Sequence, residues 1–264
     1  MPKNHDWDLT EEVAQAVESA LAGRSLEVTS GSEKSSSADL VTEIDLALEA
    51  DLRESLTHLL PGSSFLGEEG GGELGDGPTW VVDPVDGTTN VVHGYPVAAV
   101  GVALWSEGEV VLAAVRDLFR GLSVTAIRGE GIRSSTDDTV FEVSEVGDLS
   151  AALIGIGLPY DRSEADEMFG VARKIFERCQ DLRRGGSAIL DILDVAMGRL
   201  DAHVEIDLRP WDVMAAGLIL EESGGRLTDW SGGEIVWTGA SDTKRVLASN
   251  GSLHDEIAAI TSPS

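Results

Sequence analysis

The stretch Trp80-Val81-Val82-Asp83-Pro84-Val85-Asp86-Gly87-Thr88-Thr89-Asn90 joins a short apolar run to two carboxylates. Residues 80–82 predict a buried strand that ends at the acids. Pro84 has no N–H and pushes Asp83 into an extended conformation. Asp83 and Asp86 then lie close together on a bend, where two carboxylates repel each other unless a cation lies between them. The stretch indicates a site for a metal ion with oxygen ligands, although acidic surface turns use the same residue types.

The last part of this stretch, Gly87-Thr88-Thr89-Asn90, supplies backbone N–H groups and hydroxyls. If these residues begin a helix, the N–H groups form an anion site beside the metal. The combined pattern is therefore a metal ion next to a phosphate group.

Two further acids are predicted to reach the same place. Glu68 follows the short strand 64–66, and acids at the ends of neighbouring strands form sites in α/β proteins. Asp212 lies in the first turn of a helix that begins at Pro210 and is apolar nearly all round, so its carboxylate needs a cation or a donor. The ordinary alternatives are a solvated loop for Glu68 and a helix cap for Asp212.

A helix predicted to begin at about residue 42 also contains acids at its start. Asp39, Thr42 and Asp45 recur every three residues there and share one face of its first turn. Ordinary helix capping accounts for the same residues, so both interpretations stay open.

The second half of the chain offers two more ligand-binding features. The segment Asp181-Leu182-Arg183-Arg184-Gly185-Gly186-Ser187-Ala188 leads into a helix and exposes N–H groups where a phosphate or a hydroxyl could bind. The predicted strand 202–206 contains Glu205 at its end, seven residues before Asp212. We expect that carboxylate to face the same cavity as the metal site.

The charge of the chain is its most unusual global feature. There are 47 Asp and Glu against 19 Lys and Arg, a formal net charge of −28. That field repels nucleic acid and anionic membranes, and a phosphate substrate would need bound cations and salt screening. Acids spread along the whole chain predict a surface adapted to high intracellular salt, as in halophilic archaea.

Length and composition limit the class of protein. A chain of 264 residues suits one large domain or two closely packed halves. Its one cysteine, Cys179, excludes an internal disulfide and a cysteine metal cluster. Residues 1–8 are polar, and the uncharged run 87–106 is interrupted by polar residues and Pro96, so we expect neither a signal peptide nor a membrane span. The prediction is a cytoplasmic protein.

Residues 83–90, together with Trp211-Asp212 and residues 221–225, resemble the inositol monophosphatase family of metal-dependent phosphatases. Further matches in the family's order and spacing are Lys34, Asp39-Leu40-Val41-Thr42 with Asp45, and Gly67-Glu68-Glu69. The resemblance implies an α/β (α+β) fold, a layered αβαβα sandwich of the type shared with fructose-1,6-bisphosphatase. It also implies one domain over residues 1–264. The half at about 1–145 would contain most metal ligands, and the half at about 146–264 would contain Glu205 and Asp212.

The same resemblance implies roles for individual residues, with two or three Mg²⁺ ions in each site. Glu68, Asp83 and the Val85 carbonyl would hold one Mg²⁺, and Asp83, Asp86 and Asp212 would hold another. The implied catalytic residues are Thr88 and Asp45, which would orient the attacking water, and Glu68. The implied substrate-binding residues are Asp86, Gly87, Thr88, Gly186, Ser187, Ala188, Glu205 and Asp212.

The function implied is hydrolysis of a small phosphorylated polyol or sugar, foremost inositol monophosphate, by a homodimer. The first alternative is fructose-1,6-bisphosphate hydrolysis, alone or as a second activity, as in similar archaeal proteins. Less favoured alternatives are a 3′-phosphoadenosine phosphate phosphatase and a non-catalytic protein that binds cations. Neither nucleic acid nor a membrane is expected as a partner.

Overall fold

The computed structural model describes residues 7–26, 32–33, 40–75, 77–136 and 139–262. Two residues of the family resemblance, Lys34 and Asp39, lie outside this part of the chain. The helices are α1 (Trp7–Leu21), α2 (Glu43–Leu59), α3 (Thr88–Val92), α4 (Ala165–Phe176), α5 (Ala188–Ala196), α6 (Pro210–Glu222) and α7 (His254–Thr261). The strands are β1 (Ser32–Glu33), β2 (Leu40–Val41), β3 (Ser64–Gly67), β4 (Thr79–Asp86), β5 (Ala99–Ser106), β6 (Glu109–Asp117), β7 (Ser123–Ile127), β8 (Gly131–Ser134), β9 (Leu153–Ile156), β10 (Asp181–Arg183), β11 (Ala202–Leu208), β12 (Arg226–Asp229) and β13 (Lys244–Ser249).

The first large sheet has six strands in the order β3-β4-β5-β6-β7-β8. β3 and β4 run parallel, and the later neighbours are antiparallel. The sequence predicts an antiparallel meander over residues 97–127, and β5, β6 and β7 confirm it. β8 at the sheet edge was not predicted, because its residues follow a glycine turn and lack a long apolar run.

The second large sheet has five strands in the order β10-β9-β11-β13-β12. β9 runs parallel to both β10 and β11, whereas β13 is antiparallel to β11 and β12. The short strands β1 and β2 pair separately. β9 therefore lies beside β11, the strand that contains Glu205.

The hydrophobic cores stack these elements in five layers, which confirms the predicted αβαβα sandwich. One face of the six-stranded sheet packs against α1 and α2 through side chains such as Trp80 and Val82. Its other face, which includes Val81, packs against α5 and α6. The five-stranded sheet lies on the far side of these two helices, and α4 and α7 cover its outer face. Helix α6 is apolar nearly all round because it lies between two sheets.

Within the described residues, none of the helices is both long enough and apolar enough to cross a membrane.

Candidate active site

Asp83 and Asp86 lie on β4 where its pairing with β5 is irregular. The register shifts between these two residues, at the position of Pro84, which has no N–H for the ladder. Asp83 is 1% exposed, and its Oδ1 accepts a hydrogen bond of 3.0 Å from the Val85 N–H. The prediction that the strand ends before the acids was wrong, because β4 continues through the irregularity to Asp86.

Glu68 follows β3, the parallel neighbour of β4. Its N–H donates to the Val82 carbonyl at 3.2 Å, so the turn begins directly beside Asp83. A buried acid of α2, Glu49, supports this turn by accepting the Glu69 and Gly70 N–H groups at 2.7 Å each. Burial, and next the negative charge of Glu68, raise the pKa of Asp83 well above its ordinary value. Glu68 and Asp83 are therefore electrostatically close, as the sequence predicts.

Asp86 and Asp212 reach the same region from different elements. Asp86 Oδ2 accepts hydrogen bonds from Ser187 Oγ at 2.6 Å and from the Ile189 N–H at 2.7 Å, which ties β4 to the start of α5. Asp212 lies in the first turn of α6, where its Oδ2 accepts the Arg209 N–H at 2.6 Å. Burial raises the pKa of Asp86 to about 7. Burial, followed by the charge of Glu68, raises the pKa of Asp212 well above the ordinary value.

The chemistry of these carboxylates fits Mg²⁺. A set made of carboxylate and carbonyl oxygens suits a hard divalent ion, and buried carboxylates that raise one another's pKa are stabilised by a cation between them. Side chains of the described residues do not yet form a closed group of three or more ligands. The mutual charge effects nevertheless join Asp83 with Glu68, Asp86 and Asp212.

Thr88 and Asp45 form a buried pair. Thr88 Oγ1 lies 2.6 Å from Asp45 Oδ1 and 2.9 Å from the Val85 carbonyl oxygen. The Asp45 Oδ2 atom accepts the Thr42 N–H at 3.0 Å and also contacts the Thr42 hydroxyl, within the capping box that begins α2. The cap interpretation of Asp45 is therefore correct, and the same carboxylate also holds Thr88.

Gly87 and the loop before α5 approach each other closely. Gly87 has a φ of 101° and precedes the short helix α3. A Cβ at Gly87 would lie 2.8 Å from the Val97 carbonyl oxygen, so both conformation and space require glycine there. Asn90 Nδ2 lies 3.1 Å from the Gly185 carbonyl oxygen and 3.2 Å from that of Gly186, which joins the two segments.

A cavity of about 670 Å³ opens over these residues. Four of the predicted acids line it, together with two of the predicted loop residues: Glu68, Asp86, Glu205, Asp212, Gly186 and Ala188. Ser187 is 1% exposed and holds Asp86 rather than lining the cavity. Asp83, Thr88 and Asp45 are buried beneath it.

Three arginines line the same cavity, Arg162, Arg184 and Arg209. None of them has an ion pair with an acidic side chain among the described residues, although Arg209 Nη1 donates to the Ala240 carbonyl at 3.3 Å. The adjacent Arg183 pairs with Asp181 at 2.6 Å and does not line the cavity. One cavity is therefore lined by both carboxylates and guanidinium groups.

Glu205 extends from β11 into the cavity, and His203 lies behind it. His203 Nε2 is 2.9 Å from Glu205 Oε2, and Nδ1 is 3.7 Å from Asp191 Oδ2. His203, Asp191 and Glu49 were not predicted from the sequence to lie at the site. An alternating strand position is the only local signal for His203, and Asp191 and Glu49 occupy ordinary helix positions.

Comparisons with known proteins place the chain among inositol monophosphatases and SuhB proteins. The sequence model of the inositol monophosphatase family matches residues 3–264. The chain is 38% identical over 226 residues to inositol monophosphatase 2 of Solanum lycopersicum, covering 82% of this chain and 83% of that protein. It is 35% identical over 228 residues to Nus factor SuhB of Salmonella typhimurium, covering 84% and 85%. The solved inositol monophosphatase of Anabaena superimposes with a TM-score of 0.81 at 33% identity, covering 96% of this chain and 93% of that one.

Proposed function

This chain belongs to the inositol monophosphatase family, and we propose that it is a Mg²⁺-dependent phosphatase that hydrolyses an inositol monophosphate. One observation carries the proposal: Glu205 and three predicted metal ligands, Glu68, Asp86 and Asp212, line the same cavity. A carboxylate at Glu205 can accept hydrogen bonds from neighbouring ring hydroxyls while the phosphate lies at the metal side.

The metal ligands in this proposal come from three parts of the fold: the turn after β3, strand β4 and helix α6. Glu68, Asp83 and the Val85 carbonyl would hold one Mg²⁺, and Asp83, Asp86 and Asp212 would hold another. When bound, the ions supply Lewis-acid stabilisation to the phosphate and to the attacking and leaving oxygens. Asp83 would belong to both sets, and it is 1% exposed.

Thr88 and Asp45 orient the attacking water. The Thr88 hydroxyl donates to Asp45 Oδ1 at 2.6 Å, which leaves an oxygen lone pair to accept a hydrogen bond from the water. Asp45 is 0% exposed, so bulk water does not compete with Thr88 for its carboxylate. The Gly87 and Thr88 N–H groups bind the phosphate, and Gly186 and Ala188 contact the alcohol portion.

The decisive experiment compares turnover of the wild type and Glu205→Gln in high salt with saturating Mg²⁺. The substrates are inositol 1-phosphate, fructose-1,6-bisphosphate and p-nitrophenyl phosphate. Loss of a hydrogen bond to a charged group costs about 1.5–3 kcal/mol, so kcat/KM on inositol phosphate should fall roughly 10- to 150-fold. The small ester should be much less affected.

Asp161→Asn is the matched control, since Asp161 also lines the cavity but lies on its rim. Equal losses on inositol phosphate and p-nitrophenyl phosphate in Glu205→Gln would contradict substrate recognition by Glu205. Turnover that does not depend on Mg²⁺, or no turnover of any ester, would favour the non-catalytic alternative.

The second candidate function is fructose-1,6-bisphosphate hydrolysis, and the three cavity arginines favour it. Cations that lack a carboxylate partner among the described residues, in a chain of net charge −28, are suited to a second phosphate. Arg184→Ala should then reduce kcat/KM on the bisphosphate selectively, and the neighbouring Arg183→Ala serves as control. A wild-type preference of tenfold or more for the bisphosphate would make this the main activity.

A further inference from the structure

Three ionisable side chains form a row that begins at Glu205 in the cavity wall and continues into the protein interior. Glu205 faces the cavity, His203 is 0% exposed, and Asp191 is 6% exposed. The imidazole of His203 contacts Glu205 through Nε2 at 2.9 Å and approaches Asp191 through Nδ1 at 3.7 Å. The ring of His203 therefore lies between two carboxylates, one of which faces the cavity.

Gly155 in the neighbouring strand β9 and Gly157 just after it leave space for these side chains. His203 is paired with Gly155 in the parallel register of β9 and β11. A Cβ at Gly155 would lie 2.8 Å from His203 Nδ1, and a Cβ at Gly157 would lie 1.8 Å from Glu205 Cδ. Any side chain at these positions would displace the ring or the carboxylate. The lack of a side chain at Gly155 and at Gly157 therefore leaves space for the His203 ring and the Glu205 carboxylate.

Asp191, at the inner end of this row, contacts the loop that precedes α5. The Gly185 N–H faces Asp191 and opposes the rise in the pKa of its carboxyl. A Cβ at Gly185 would lie 2.2 Å from Asp191 Oδ1, so the carboxylate lies directly against the loop. Gly186, the next residue, lines the cavity. His203 thus connects the two segments that contact the alcohol portion of the proposed substrate.

Proton placement on the ring follows from its two neighbours. A neutral imidazole has one N–H, so it would present a lone pair to one of the two carboxylates, whereas an imidazolium presents a donor to both. Burial lowers the pKa of His203, but the Glu205 hydrogen bond and the charges of Asp191, Glu205 and Asp86 outweigh it and raise that pKa. These charged groups come from α5, β11 and β4. Nδ1 has no hydrogen-bond partner among the described residues, so its attraction to Asp191 is that of an ion pair.

We propose that His203 is a positioning residue for the alcohol side of the substrate: held as an imidazolium between Asp191 and Glu205, it fixes the Glu205 carboxylate at the cavity. The inference rests on the proposed function, in which Glu205 accepts substrate hydroxyls. With Oε2 held by the ring, Glu205 presents its other oxygen to the substrate. The ring does not touch the predicted metal ligands, so substrate binding responds to it and the chemical step does not.

The kinetic experiment uses His203→Phe, which keeps a ring but removes the donor, and His203→Gln, which restores a donor that does not titrate. His203→Phe should raise KM for inositol 1-phosphate about tenfold or more while kcat and the KM for p-nitrophenyl phosphate stay within about twofold. His203→Gln should recover most of that loss. In the wild type KM should rise as the ring deprotonates at alkaline pH, and this rise should be absent in His203→Gln.

His254→Gln is the matched control. His254 is also 0% exposed, but within the described part of the chain its ring nitrogens hydrogen-bond only with the hydroxyls of Thr228 and Ser249, both at 2.7 Å. It should leave the KM ratio between the two substrates unchanged. An equal effect of His254→Gln on that ratio, or an equal effect of His203→Phe on both substrates, would reduce His203 to a structural residue and overturn the proposal.

A second measurement does not depend on turnover. The full-length protein with ¹⁵N-labelled histidine is titrated by NMR with Mg²⁺ present, and the His203 signals are identified by their loss in His203→Gln. The pKa of His203 should lie above the ordinary value of 6.5, and it should fall in Glu205→Gln. A ring that is neutral at pH 6 overturns the proposal even if every ester is hydrolysed. Absence of all hydrolysis with a protonated ring would instead defeat the proposed function and leave the proton placement standing.

Discussion

Replacing Thr88 by valine removes one buried hydroxyl and keeps the size of the side chain. In the structure that hydroxyl lies 2.6 Å from Asp45 Oδ1, and Asp45 is 0% exposed. Loss of a hydrogen bond to a buried charged group destabilises a fold by about 1.5–3 kcal/mol. Loss of a group that orients the attacking water slows catalysis by about 10²–10⁴-fold. We therefore expect a small loss of stability and a large loss of kcat.

Two assays separate these effects. Urea denaturation of the metal-free protein measures the stability term, and steady-state kinetics at saturating Mg²⁺ measures kcat and KM. Thr88→Ser keeps the hydroxyl and is the matched control, which should retain kcat within about tenfold. Asp45→Asn should lower kcat as well, and the double variant should lose less than the sum of the two single losses, because the two groups act together.

A Thr88→Val protein with a raised KM and an unchanged kcat would refute this reasoning. Thr88 would then bind the phosphate through its position on the short helix α3 and would have no part in orienting the water. Full additivity with Asp45→Asn would equally contradict a shared role for the pair.

Three further predictions follow from the charges. Asp83→Asn should abolish turnover at saturating Mg²⁺, and wild-type turnover would contradict shared metal binding. The metal-free variant should melt no lower than the metal-free wild type, because a neutral amide replaces a buried charge. Lowering KCl from molar to millimolar should lower the melting temperature before it affects kcat, given a net charge of −28; a constant melting temperature by circular dichroism would reject this. In EDTA the free energy of unfolding should fall as pH rises from the ordinary aspartate pKa of 3.8 to about 7, since folded Asp86 retains its proton over that interval. Mg²⁺ should remove that fall, and a rise measured in EDTA would contradict the assignment.

The sequence was sufficient wherever the signal was local. The apolar run before Asp83, the Pro210 helix start and the capping residues of α2 each depend on a few neighbouring positions, and all are found in the structure. The course of β4 past Asp83 was not predicted, because a register shift depends on the partner strand as well as on the strand itself.

Contacts between distant residues could not be predicted from local patterns. Ser187 and Asp86 are separated by 101 positions, and the hydrogen bond between them places Ser187 under the cavity instead of in its lining. His203 occupies an ordinary alternating strand position, so only the fold brings its ring between two acids. The same holds for Glu49, whose helix position suggests a solvated face and whose buried carboxylate supports the Glu68 turn.

The layer formed by α5 and α6 has a consequence for cutting the chain. The six-stranded sheet lies wholly within residues 64–134, and the five-stranded sheet within residues 153–249, yet both cover the same two helices. A peptide that ends near residue 145 would expose the apolar face that α5 and α6 normally cover, and it would lack Asp212. We expect the two pieces to be poorly soluble alone and to regain magnesium binding when refolded together. An active protein reconstituted from two fragments would then report directly on whether they have reassembled.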